Sequence, residues 1–411
     1  MEPVVYLDYN ATAPLRPEAL DAMLPVLRSA GNAASPHVPG RAAATSVAAA
    51  RRQIGSLIGC SAGELVFTSG ATEANNMALG VMTAPGGRLI TSAAEHPAVL
   101  ETARALAHER DIELMVLPVD RDGLLELEAL RQALETRRPT VVSIMAANNE
   151  TGVLSDLDAI AVITHSAGAI LHSDATQLVG KLPVDLSALD VDLLSLSAHK
   201  FGGPQGVGAL FMRRGLGLPQ RPLLHGGEQE GGWRAGTLNV AGIAGAGAAA
   251  SAAQAKLAAE APRVKVLRDL LEDSLLSRLA CTSVNGAMGQ RLPHVCSITF
   301  TGAPADAVMA AMPGVAVSDG SACSAGTLVP SHVLLAMGRS RDEADSTIRF
   351  SLGYATEESD IELAIEAVTA AVTQVRGMLG TAGIQDGGVS GIGGTAAATQ
   401  RPGRAGAIAH V

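Results

Sequence analysis

Lys200 closes a run of small and apolar residues, Asp192 to Ser197, and is followed at once by Gly202, Gly203, Pro204, Gly206 and Gly208. That pattern predicts a buried strand delivering a lysine onto a turn where the backbone can approach a ligand closely. A lysine taken out of water loses part of its proton affinity, and its amine can then attack a carbonyl. The plainer alternative is a solvated surface lysine.

Other stretches carry residues suited to chemistry. Thr68 to Glu73 follows an apolar run and opens a helical one. Gly70 permits the turn there, and the free N–H groups of a first helical turn suit a phosphate, with Thr72 adding a hydroxyl. An ordinary strand-to-helix turn with a threonine cap has the same pattern. His96, between Glu95 and Pro97, could stack on a flat ring, shuttle a proton or hold a structural place. Asn148 and Asn149 stand where a strand should end, and could bind a carboxylate or make an Asx turn. Asp174 opens the run to Gln177 and precedes Lys200 by a span that suits adjacent strand ends of one sheet. A buried carboxylate there could keep a ring nitrogen protonated, or cap a helix.

Three more stretches lie further on. Arg234 to Thr237 ends a glycine-rich loop. Cys323 lies among the small residues from Ser318 to Gly326, the setting of a loop nucleophile, whereas Cys296 falls inside an apolar strand pattern and reads as a core thiol. Arg349 also lies in a strand pattern, where it needs a partner, and its fork matches a carboxylate.

Elements able to position these groups follow from periodicity. Strands are expected at 65–68, 88–91, 113–117, 141–146, 169–173, 192–196 and 209–212, and helices at 16–29, 41–58, 72–82, 98–110, 124–137 and 156–166. Such alternation predicts an α/β fold, a mostly parallel sheet covered by helices, with ligand sites on loops at the strand C-terminal ends. A long alanine-rich segment then runs to about Arg278, with Pro262 expected to kink or split it. From Pro293 the pattern becomes α+β, with strands at 295–301, 315–318 and 347–352 and helices at 305–312, 331–337 and 357–376. The expected division is 15–260 as a large unit, 1–14 plus 261–376 as a small one, and 377–411 as a Gly/Ala-rich disordered tail.

Composition narrows the function. The 411 residues favour more than one structural unit, and 47% hydrophobic content suffices for a sizeable interior. No apolar run reaches membrane-spanning length, and Met1 to Val5 lacks the pattern of a secretory signal. A net charge of −10 with scattered basic residues argues against nucleic acid as a partner. Cys60, Cys281, Cys296 and Cys323 are too dispersed for a disulfide framework or a zinc site, so no metal is expected and a reducing, cytoplasmic location is.

Taken together, these motifs resemble the cysteine desulfurases of the class V aminotransferase group, which use pyridoxal phosphate. The resemblance runs from Tyr6 to about Arg376, with the motifs around Thr72, His96, Asn149, Asp174, Lys200, Arg234 and Cys323 in family order; the long cysteine loop, continuing through Pro330 to Leu334, is similar to the NifS/IscS branch. It implies a fold-type-I enzyme with a seven-stranded large domain and a smaller α+β domain. Lys200 would carry the cofactor on its amine and later move protons. His96 would stack on the ring, Asp174 would pair with its nitrogen and Gln177 with its phenolic oxygen. Thr72, Ser197 and His199 would hold the phosphate, joined by Thr237 of a partner subunit in a homodimer, and Ala71 would also bind the cofactor. Asn149 and Arg349 would hold the substrate carboxylate. Cys323 would take sulfur from L-cysteine as a persulfide, releasing alanine and serving a sulfur-acceptor protein, as in iron–sulfur cluster assembly.

Two features depart from that family. Asp319 puts a carboxylate four residues before the Cys323 thiol, where it would raise the thiol's pKa or cap a turn. The tail after Gly377 differs from the acceptor-binding end of a housekeeping member. Other readings are a selenocysteine lyase, an aminotransferase, or a silent scaffold on the same fold. A cysteine loop argues against the aminotransferase, and joint retention of Lys200, Asp174 and His96 argues against the scaffold.

Overall fold

The computed structural model describes residues 4–319 and 329–381. Its central feature is a seven-stranded sheet in the order Leu65–Thr68, Gly208–Met212, Leu193–Ser197, Ile170–Asp174, Thr140–Ser143, Arg88–Ser92, Glu113–Leu117. Every neighbouring pair is parallel except those made by Gly208–Met212, which runs antiparallel to both its neighbours. The exception has a simple origin. Residues 198–207 are too few for a helical crossover, so the chain must turn back on itself.

The helices fall close to their expected places. Pro17–Leu27, Val38–Ile58, Ala71–Met82, Pro97–Arg110 and Leu157–Ser166 match the periodic segments, and Leu127–Ala133 is shorter than the stretch expected there. Leu65–Thr68, Thr140–Ser143 and Leu193–Ser197 are buried along their length, as a sheet covered on both faces requires, whereas the edge strand Glu113–Leu117 is mostly half-buried.

A second sheet is antiparallel, ordered Thr347–Ser351, Val295–Phe300, Thr282–Val284, and the short strand Val5–Tyr6 pairs in parallel with Val315–Ala316. One apolar cluster draws its buried residues from Ala19 to Ala253, and a separate one from Val5, Leu7 and Val264 to Val375. Helix Val240–Arg278 serves both: its first half buries Ile243, Ala246 and Ala250, its second Leu267, Leu271 and Leu275.

Of the two outcomes expected at Pro262, the split is overturned, since the helix runs through it as a single 39-residue element. Proline removes one N–H and crowds one carbonyl, a local loss that packing on both sides of it offsets. The last helix, Glu358–Leu379, also passes Gly377 and ends at Gly380, whose φ of 69° suits a left-handed cap. Residues 382–411, most of the expected tail, lie outside the described residues. Among the described residues, no helix is long and apolar enough to cross a membrane.

Candidate active site

The parallel strands end on one side of the sheet, and the site is built there. Asp174 is the last residue of its strand and pairs in register with Ser195 of the next. Two residues beyond Ser195 that strand gives way to a single helical turn, Ala198–Lys200, which lifts the lysine off the sheet edge. Gly202 then adopts φ +89°, and a Cβ there would meet the Arg16 side chain at 2.5 Å. Lys200 Nζ donates to the carbonyl oxygens of Asn10 and of Ala11, the latter at 2.9 Å.

At one end of the site lies the N-terminus of helix Ala71–Met82, whose first-turn N–H groups have no helical acceptor. Gly208 lets the neighbouring strand press against it, since a Cβ there would fall 2.6 Å from the Gly70 backbone. Ala71, Thr72, Ser197 and His199 face this end. The His199 Nδ1 lies 3.1 Å from Thr12 Oγ1. Burial, and then the charge of Lys200, bring its pKa down to about 4, so the ring is neutral. Glu73 receives Arg234 Nε at 2.9 Å and ties the glycine-rich loop down. Thr237, on that loop, is exposed and does not line this chain's cavity.

The middle of the site holds His96, Asp174 and Gln177. His96 caps helix Pro97–Arg110 by accepting the Ala98 N–H at 3.0 Å, and burial lowers its pKa. Asp174 accepts the Thr176 N–H on Oδ1 at 2.9 Å and the Asn75 amide on Oδ2 at 2.7 Å. Gln177 donates to the Asn10 carbonyl at 3.0 Å, and its Oε1 is buried with no partner among the described residues.

At the far end Arg349 reaches out of its strand. Its Nη1 donates to the Asn149 carbonyl at 3.0 Å and its Nη2 to Asp8 Oδ1 at 2.7 Å. Arg349 Nε and Asn149 Oδ1 are buried and have no hydrogen-bond partner among the described residues. The two asparagines divide the roles that the sequence left open. Asn148 Oδ1 accepts the N–H groups of Glu150 and Thr151 in an Asx turn, which frees Asn149 to face the cavity.

Cys323 lies outside the described residues. The chain on either side of it is anchored at this end of the site: Ser318 pairs through its backbone with Arg349, and Ser331 Oγ donates to buried Glu150 at 2.5 Å. Cys296 is fully buried and free, as the strand pattern suggested.

These groups surround one cavity of about 380 Å³. Lys200, Asp174, His96 and Gln177 line it with Ala71, Thr72, Ser197 and His199 at one end and Asn149 and Arg349 at the other. Thr237 alone of the described candidates stands apart. Sequence reasoning assigned no role to Asn75, Asp8 or Asn10. Asn75 lies one turn after Thr72 in the helix sequence, which is the only local signal that could have drawn attention to it.

The aminotransferase class-V family profile matches residues 5–363. A cysteine desulfurase of Cereibacter sphaeroides is 44% identical over 381 residues, covering 91% of this chain and 97% of the relative. The X-ray structure of a NifS-like protein from Rickettsia africae superposes with a TM-score of 0.82 at 32% identity, covering 90% of this chain and 99% of that one. A structure described as SspA in complex with cysteine gives a TM-score of 0.74 at 31% identity, with coverages of 86% and 99%. The chain belongs to the class-V aminotransferase family and, within it, to the cysteine desulfurases.

Proposed function

We propose that this chain is a pyridoxal-phosphate-dependent cysteine desulfurase that moves sulfur from L-cysteine to Cys323 and releases L-alanine. The observation that carries the reading is one cavity lined together by a phosphate-ready helix end, a lysine amine, a buried carboxylate, and an arginine whose Nε has no partner among the described residues.

The residues present fit pyridoxal phosphate. Cavity-lining residues carry buried polar atoms with no partner among the described residues: Gln177 Oε1 and Thr176 Oγ1 would be available to the ring, and Asn149 Oδ1 and Arg349 Nε to the substrate. Thr72, Ser197, His199 and the N–H groups after Gly70 would hold the phosphate, with Thr237 supplied by the partner in a homodimer. Asp174 would keep a ring nitrogen protonated, and His96 would cover the ring. The chemistry such a bound group supplies is a sink for negative charge developed on substrate carbon.

The protein's own share is positioning and proton handling. Arg349 and Asn149 grip the substrate carboxylate and so orient its sulfur. Lys200, once its amine is free, rests against two carbonyl oxygens that favour the protonated form, and holds a proton within the cavity. The Cys323 thiolate forms an S–S bond with the substrate sulfur as the substrate carbon–sulfur bond breaks, and alanine leaves with a proton in place of sulfur. The resulting persulfide would pass to a sulfur-acceptor protein in the cytoplasm. Residues 15–260 would hold the cofactor, and 1–14 with 261–376 would carry the cysteine loop; two separate apolar clusters with matching membership support that division.

The test is Lys200→Ala. The variant is expected to lose the visible absorption of lysine-bound pyridoxal phosphate together with alanine production from L-cysteine, and normal turnover in it would end this reading.

A further inference from the structure

Asn10 lies in a segment with no regular structure of its own, between strand Val5–Tyr6 and helix Pro17–Leu27, yet it joins four parts of the site. Its carbonyl oxygen accepts from Lys200 Nζ and from Gln177 Nε2, the latter at 3.0 Å. Its side-chain amide donates to the Asn149 carbonyl at 3.0 Å, and its backbone N–H to Ser351 Oγ at 2.9 Å. The polar atom left over, Oδ1, faces His294 Nε2 at 2.9 Å.

His294 does not line the cavity. It sits behind Asn10, 2% exposed, beside the small unit's strand Val295–Phe300. Because the Asn10 amide nitrogen is engaged as a donor, Oδ1 is the acceptor, and the ring must present its N–H at Nε2. Burial, with Lys181, Arg268 and Arg349 acting in the same direction, keeps that ring neutral and so in a state with one N–H to give. The imidazole has a single task here. It fixes the side chain of Asn10 from the side away from the cavity.

We propose that Asn10 is a positioning residue for Lys200, and that His294 sets Asn10 from outside the cavity; this rests on Lys200 being the amine that carries the cofactor. The carbonyls of Asn10 and Ala11 converge on Nζ, and oxygen dipoles so placed favour a proton on that nitrogen. Backbone carbonyls in an irregular segment can do this only while the segment is held. His294 and Ser351 supply two of the restraints, both from the second sheet and its lead-in residue. Gln177 and Asn149, which face the cofactor and the substrate, take their alignment from the same residue.

The experiment measures, across pH, the rate at which the full-length protein freed of its cofactor takes up pyridoxal phosphate, read as the growth of visible absorption, in wild type, His294→Leu and His294→Gln, because the amine must lose its proton before it can react. Leucine removes the donor at similar volume, whereas glutamine restores an N–H near the reach of Nε2. The midpoint of the rate's rise with pH reports the proton on the lysine nitrogen. It is expected to fall by about half a pH unit or more in His294→Leu and to return towards wild type in His294→Gln. An unchanged midpoint in His294→Leu, or equal shifts in the two variants, overturns the proposal. Should His294→Leu fail to fold, Ser351→Ala removes the acceptor of the Asn10 N–H. A fall in its midpoint supports the proposal, and no change overturns it. A wild type without such absorption, or a Lys200→Ala variant that keeps it, rejects the assignment of Lys200 and the proposal with it; the other negative results reject the positioning role of Asn10 and His294 and leave the assignment of Lys200 standing.

Discussion

Asn75 donates its side-chain amide to Asp174 Oδ2 at 2.7 Å, from a helix position with no solvent exposure. Asp174 is thus oriented by a helix whose N-terminal residues, Ala71 and Thr72, line the same cavity. A hydrogen bond to a charged group contributes about 1.5–3 kcal/mol. Asn75→Leu is therefore expected to weaken pyridoxal phosphate binding about tenfold to a hundredfold, read from the dissociation constant of the cofactor. Unchanged affinity would mean that Asp174 needs no orienting partner.

Arg349 is held on two sides, by Asp8 and the Asn149 carbonyl, and its Nε has no partner among the described residues. A lysine there keeps the charge but loses the fork. Arg349→Lys is expected to lower kcat/KM for L-cysteine about tenfold to a hundredfold, chiefly through KM, while cofactor absorption stays as in the wild type. A loss confined to cofactor binding would place the arginine elsewhere in the mechanism.

Glu150 gives a pH signature. Burial, reinforced by Asp319 and opposed by Ser331 and Arg349, raises its pKa from 4.5 to about 7. The folded state thus holds a proton that the unfolded chain has released between these two values. Stability contributed by this site is fully present below about pH 4.5 and declines as pH rises towards and past 7. The decline amounts to roughly 3 kcal/mol at most. Glu150→Gln stays neutral, so its stability relative to wild type should increase by up to that amount between about pH 5 and pH 8 in denaturant titrations. A constant difference across that range would show that Glu150 is ionised throughout.

Much of the site was legible because its groups stand at ends of periodic elements. Strand 170–174 and strand 193–197 could be read from apolar runs, and their adjacency put Asp174 near Lys200. His96, Thr72 and Asn149 lie just past strands, where parallel sheets collect ligands. Asn75 was not legible, since a polar residue inside a helix has nothing in its neighbours to say that it faces a carboxylate. Asp8, Asn10 and His294 were hidden for a different reason. Their partners are contributed by chain hundreds of residues away, and the contacts depend on how the N-terminal segment packs against the second sheet and its lead-in residue, which local periodicity does not encode. The unsplit helix through Pro262 was missed likewise, because its two halves serve separate cores.

The central claim is that sulfur leaves L-cysteine for Cys323. The direct measurement is a single turnover of the reconstituted protein with L-cysteine, followed by quantitation of alanine and the mass of the peptide bearing Cys323. The expected result is one alanine formed for each Cys323 peptide heavier by one sulfur atom. Alanine formed while that peptide stays unmodified, or sulfur found instead on Cys60 or Cys281, would contradict the account.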